Sequence, residues 1–253
     1  MTILFTLVPI ALLCVGAWAL VFLIIACFPR AWYRHLYRPE DYPLRFFFVP
    51  KDPKDKFVCL TLDDGPTQQD TMDLLAFLRE QEVHATFFLI GKRVEQCPRA
   101  VREIVMDGHE VGNHDWTNQM SALKTEEQLN VDLPNTRGIL EFNMPDGHTQ
   151  RVTTVRPGCG VWFTETFKRA CKAQSVEEIV LADTYFHDPL FACPGLQATY
   201  IKWRVRPGSI IVLHEGSQAR VECTIATLRS VIPALKKQGY SFLTLAQARQ
   251  VSQ

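Results

Sequence analysis

The chain has 253 residues, 47% of them hydrophobic, and 27 Lys+Arg balance 27 Asp+Glu. That length is enough for one full core. Zero net charge without a basic stripe excludes the strong electrostatic footprint of a nucleic-acid binder, whereas neutral or polar ligands such as sugars are compatible with it.

From Ile3 to Phe28 there is no charged residue, and Arg30, Arg34 and Arg38 follow. A bilayer span needs about 20 apolar residues, so residues 1–29 read as one transmembrane anchor. The rival is a cleaved signal peptide, for which Ala17-Trp18-Ala19 resembles a cleavage site. No basic segment precedes the stretch and apolar residues continue past Ala19, which favours retention. Positive charge after the span points to a cytosolic C-terminal domain. No N-x-S/T sequon occurs to support a lumenal one. Residues 30–55 form a connector rich in Arg, Tyr, Pro and Phe, whose Phe46-Phe47-Phe48-Val49 run suits packing on a membrane or on the domain. Residues 56–253 form the domain itself.

Within it, short apolar runs alternate with longer amphipathic stretches. Strands are expected at 57–62, 85–90, 109–112, 152–156, 178–182, 209–214 and 240–244. Helices are expected near 69–81, 98–107, 125–141, 163–174, 197–205, 221–238 and 245–251. Pro98 opens the second helix and Gly108 follows its end. Seven strands alternating with helices imply a parallel sheet, closed as a barrel or doubly wound. Of 8 cysteines, Cys14 and Cys27 fall in the span; the other six show no disulfide framework or CxxC pair. Cys59, in an apolar strand, reads as a small core residue.

In either architecture reactive residues belong at the C-terminal ends of strands. Asp63 and Asp64 follow the first strand, His114 the third and Asp183 the fifth, while Arg156 ends the fourth and His214 the sixth. Six ionisable groups therefore converge on one rim. In Asp63-Asp64-Gly65-Pro66 two adjacent carboxylates point differently, so one can bind a cation while the other stays free; the bland alternative is a solvated turn. His114 and Asn118 are four apart, the spacing that places two residues on one helical face. An amide oxygen at that second position is a weaker ligand than imidazole. His109 reads as a strand-start residue.

Asp63-Asp64-Gly65-Pro66, Gly112-Asn113-His114-Asp115-Trp116, Arg156-Pro157-Gly158-Cys159-Gly160 and Leu213-His214 together resemble the ordered motifs of the polysaccharide-deacetylase superfamily. This is the NodB-homology group, carbohydrate esterase family 4. The resemblance covers about residues 57 to 245 and is to a divergent branch. It implies an α/β fold, a distorted, incomplete (β/α) barrel of about seven parallel strands, here preceded by one transmembrane helix. It also implies a divalent metal, zinc foremost, bound by Asp64, His114 and Asn118. Asp63 would be the general base, Arg156 its partner and His214 the general acid. The Cys159 backbone N–H would be the oxyanion donor, and Asp183 a further catalytic carboxylate. An N-acetylated glycan, chitin-like or peptidoglycan-like, is the implied substrate. The family's usual home is external, against the flanking charges.

The sequence departs from the pattern at Asn118, where the family has a second histidine, at Cys159, where many members have Tyr, and at Phe186, where it has a second acid. Asp188, two residues on, is a substitute candidate. Three readings follow: an active glycan N-deacetylase, a catalytically silent domain that binds glycan or protein, and a hydrolase of a small amide or ester. Trp116, Trp162 and Tyr185 suit sugar stacking in either of the first two.

Overall fold

The computed structural model describes residues 44–148, 151–160, 164–186 and 193–252. The expected N-terminal span, Trp162, His187, Asp188 and Pro189 lie outside these residues. Among the described residues no helix is long and apolar enough to cross a membrane.

Nine strands of the described residues make one sheet: β1 (Leu44–Arg45), β2 (Phe57–Gly65), β3 (Thr86–Leu89), β4 (Glu110–Asn113), β5 (Thr154–Val155), β6 (Glu178–Val180), β7 (Thr184–Tyr185), β8 (Ser209–His214) and β9 (Ser241–Phe242). Their order is β1-β6-β5-β4-β3-β2-β8-β7, with β9 added to β2. Every pairing between these strands is parallel. Among the described residues eight helices connect and cover them: α1 (Gln68–Glu80), α2 (Gly91–Gln96), α3 (Pro98–Met106), α4 (Glu126–Phe142), α5 (Glu165–Ala173), α6 (Pro194–Arg204), α7 (Gln218–Lys237) and α8 (Leu245–Val251). This is the expected parallel α/β architecture. Two elements begin with capping boxes, Thr125 with Gln128 and Thr244 with Gln247, each satisfying two otherwise orphaned N–H groups.

The strand period sorts side chains onto two faces. Val58, Leu60 and Leu62 of β2 pack with Leu74, Leu78 and Leu235 of the surrounding helices. Phe57 and Cys59 point the other way, into a second cluster with Phe88, Val180, Ile210 and Leu245. Continuing that alternation puts Thr61 and Asp63 on the second, interior face. The same phase carries Ile210 to His214 along β8, and Gly112 to His114 along β4. Close packing there requires Gly112 to lack a side chain, because a Cβ would lie 2.6 Å from the Phe88 ring.

At the N-terminal ends of the strands α8 closes the interior. Arg249 bonds Glu178 at 2.9 Å and Thr154 at 2.8 Å. Phe46 and Phe48 are buried, and Phe48 stacks near Phe57 with ring centroids 6.2 Å apart. Of the two surfaces the sequence allowed for this aromatic run, Phe46 and Phe48 use the domain. Residues 44–48, read as connector, thus begin the sheet and core.

Candidate active site

The two adjacent carboxylates diverge because the β2–β3 ladder skips one residue. Asp63 pairs with Phe88 and Gly65 with Leu89, leaving Asp64 as the extra residue of a bulge. Asp64 takes φ 71, a left-handed conformation that Asp tolerates better than most residues. The Gly65-Pro66 bond that follows is cis.

Asp63 stays in the ladder, beside His214 of β8 in register, and 4% of it is exposed. Its Oδ1 accepts a 2.6 Å bond from Arg156. The same guanidinium nitrogen donates to Thr61 Oγ1 at 2.8 Å, while the others reach the Val180 and Leu181 carbonyls at 3.2 Å. Arg156 also lies over the Phe88 ring, 4.1 Å from its centroid. Burial lowers the Arg156 pKa, against the raising effect of Asp63.

His114 is buried beside both acids. Its Nδ1 is 2.9 Å from the Arg156 carbonyl oxygen. A carbonyl can only accept, so Nδ1 carries the proton and Nε2 faces Asp64 Oδ1 at 3.5 Å and Asp63 Oδ2 at 4.0 Å. Burial lowers the His114 pKa, but Asp63 and Asp64 outweigh it and the net direction is up. Burial likewise raises the Asp64 carboxyl, yet His114, His214 and Arg220 together hold it at about 2.

The 3.5 Å between Asp64 Oδ1 and His114 Nε2 bears on metal binding. Charge-assisted N–H···O bonds run about 2.7–2.9 Å, whereas two ligands about 2.1 Å from a tetrahedral ion stand about 3.4 Å apart. The two donors, one of them oriented by a backbone carbonyl, therefore fit two corners of such a site. The third expected ligand does not follow one helical turn later. Asp115 takes φ 68, which breaks any helix, and Asn118 lies exposed on a bend. Among the described residues no group of three or more His, Cys, Asp or Glu side chains could hold a metal ion.

His214 ends β8 at the interior, 9% exposed, with the Tyr185 ring 5.8 Å away edge-on. Cys159 is exposed at the tip of the Gly158–Gly160 turn, with φ 58. Asp183 is placed differently from the other expected rim residues. Its carboxylate accepts from Ser209 Oγ and Ile210 N, both at 3.0 Å, at the end of β8 opposite His214. His109 is structural as expected: its Nδ1 accepts from Ala85 N at 3.1 Å, and burial holds its pKa at about 4. Trp116 packs on Gly91, where a Cβ would come within 2.4 Å of its ring. Phe186 stacks on Tyr200 with centroids 5.6 Å apart. All six described cysteines are free, and Cys59 is buried.

Sequence reasoning missed three parts of this region. Fully buried Asp115 accepts from Trp116 N at 2.7 Å and Ser121 Oγ at 2.9 Å, and pairs with Lys124 at 2.9 Å. Ser121 in turn accepts from Gly158 N at 2.8 Å, so this network ties the loop after β4 to the turn bearing Cys159. Glu215 is fully buried, accepts from Thr71 Oγ1 at 2.7 Å, and is pushed up to about 8, chiefly by burial. Arg220, from the first turn of α7, bonds Asp64 Oδ2 at 2.6 Å. Only Asp115, inside a quoted motif, carried a sequence signal; the others depend on contacts that spacing does not show.

An incomplete parallel barrel with paired carboxylates, two histidines and a buried arginine at the C-terminal strand ends defines a hydrolase-type α/β domain. A family profile described as polysaccharide deacetylase matches residues 50–176. A peptidoglycan-N-acetylglucosamine deacetylase of Bacillus cereus is 30% identical over 215 residues, covering 84% of this chain and 97% of the relative. A chitooligosaccharide deacetylase of Sinorhizobium fredii is 32% identical over 203 residues, covering 75% and 90%. The crystal structure of a peptidoglycan N-acetylglucosamine deacetylase in complex with an N-oxidanyl-benzamide matches at TM-score 0.74 and 27% identity, covering 84% and 95%. The chain belongs to the polysaccharide deacetylase family. Solved structures of that fold include a pseudoenzyme and a mutant with restored activity.

Proposed function

We propose that this chain is a metal-dependent hydrolase that removes N-acetyl groups from a glycan of the peptidoglycan or chitin type. The observation that carries the reading is the state of Asp63. It is an interior carboxylate with Oδ1 held by Arg156 at 2.6 Å, while Oδ2 faces His114 Nε2 at 4.0 Å. A base fixed by one oxygen keeps the other at a defined place for a proton.

Asp64 Oδ1 and His114 Nε2 would hold a divalent cation, zinc foremost, which supplies Lewis-acid polarisation of the acetyl carbonyl and of the attacking water. Asp63 Oδ2 takes the proton that water gives up. Arg156 keeps that carboxylate oriented and pays part of its desolvation. His214, across the β2–β8 register from Asp63, delivers a proton to the leaving amine. The backbone N–H of Cys159 serves as oxyanion donor, its turn fixed through Ser121 and Asp115. The uncharged stretch from Ile3 to Phe28 serves in this reading as membrane anchor.

Asp63→Asn tests the proposal, with acetate release from N-acetylglucosamine oligomers as the assay. Loss of about 10²–10⁴-fold in kcat with the fold retained is expected of a general base. Unchanged acetate release would overturn the assignment. A second reading, a silent glycan-binding domain, is favoured by the exposed bend that holds Asn118 in place of a third strong ligand. It requires wild type to bind the oligomers without releasing acetate.

A further inference from the structure

We propose that Arg220 is a built-in competitor for the cation at Asp64, lowering the site's metal affinity and making its loading reversible. The inference rests on the metal reading above. Asp64 has two carboxylate oxygens: Oδ1 faces His114 at 3.5 Å, and Oδ2 is bonded to Arg220 at 2.6 Å. A second guanidinium, that of Arg93, donates to the Asp64 backbone carbonyl. Arg93 and Asp64 are brought close by Gly216, at φ +100, where a Cβ would lie 2.3 Å from Arg93 Nη1 and 3.0 Å from Asp64 Cβ.

Helix stability does not explain the placement of Arg220. The first turn of α7 contains no acidic residue, and a cation there opposes the positive end of the helix macrodipole. What offsets that cost is the carboxylate of Asp64, drawn to the same helix start. Positive charge thus converges on Asp64 from Arg220, from Arg93 and from the helix end, and each discourages a divalent cation. The Arg220 side chain is 37% exposed, so it can swing into solvent when a cation takes the carboxylate. A site with two strong protein donors and a displaceable guanidinium should fill and empty with metal supply.

The test uses the purified full-length chain, stripped of metal and titrated calorimetrically with Zn²⁺ as wild type, Arg220→Leu, Arg220→Lys and Asp64→Asn. Arg220→Leu should bind more tightly than wild type, by up to about fivefold, the scale set by a partly exposed ion pair. Arg220→Lys should stay near wild type, and Asp64→Asn should lose binding. Equal or weaker binding by Arg220→Leu would overturn competition while leaving the metal reading intact. No binding by either wild type or Arg220→Leu would overturn both.

Discussion

Replacing Arg156 with methionine removes a buried guanidinium while keeping most of its volume over Phe88. The consequence follows from what the guanidinium holds: the Asp63 carboxylate at 2.6 Å, the Thr61 hydroxyl at 2.8 Å and two carbonyls at 3.2 Å. Asp63 would be left as an interior charge without its partner, a change that costs about 3–5 kcal/mol. Against a typical total of about 5–15 kcal/mol that is a large share. With a urea slope of about 2 kcal/mol/M, the midpoint should fall by about 1.5–2.5 M. The double variant Asp63→Asn/Arg156→Met removes the stranded charge as well. It should recover about half of the loss, giving a coupling well outside the ~0.5 kcal/mol scatter of independent sites. Urea unfolding of the four proteins of this cycle measures it. A cost below about 1 kcal/mol for Arg156→Met, or strict additivity in the double variant, would refute the view that Arg156 exists to carry Asp63.

Lys124→Met strands two carboxylates, Asp115 at 2.9 Å and Asp132 at 2.7 Å. It should cost about 3–5 kcal/mol in urea unfolding and lower kcat through the Gly158–Gly160 turn, leaving KM less affected. Gly65→Ala places a Cβ 1.7 Å from Glu215 Oε1, so its melting temperature should drop sharply; Gly65→Ala combined with Glu215→Ala should recover part of the drop. Glu215, at about 8 in the fold against 4.5 for the free side chain, keeps its proton where the unfolded chain has lost it. Stability from this group is therefore full below pH 4.5, declines as pH rises toward 8, and levels off above. Glu215→Gln should remove that decline, about 5 kcal/mol at most; parallel wild-type and variant curves across that window would contradict it.

The sequence was legible wherever an element was long enough to show its period. All seven expected strands form, and the helix expected at 245–251 is found at Leu245–Val251. What escaped were β1 and β7, two residues each, and the six-residue α2; β5 and β9 are just as short, but each lies inside a longer run that reads as a strand. In the site, the motif residues Asp63, His114, Arg156 and His214 meet because strand phase is local information. Asn118 was placed by assuming a helical turn after His114, and the left-handed Asp115 replaces that turn with a bend. Asp183 was placed on the rim by its position after an expected strand, whereas its side chain follows the hydrogen-bonding demand of Ser209 and Ile210. Arg220 lies 156 positions from Asp64, and no spacing rule links the two.

The division of labour between Asp63 and Asp64 follows from one missing ladder position. Had β2 and β3 stayed in register, residue 64 would have pointed away from the interior by strand alternation, toward the helices where Leu60 and Leu62 pack. A carboxylate there would face apolar side chains. The bulge instead turns Asp64 through the left-handed region toward His114 and the start of α7, while Asp63 keeps the interior phase it shares with Thr61. Two neighbouring acids thereby acquire separate counter-charges, Arg156 for one and Arg220 for the other. A shared counter-charge would favour one proton held between them. Separate partners leave Asp63 Oδ2 and Asp64 Oδ1 both facing His114, the arrangement that the proposed base and cation ligand would need to act on one amide.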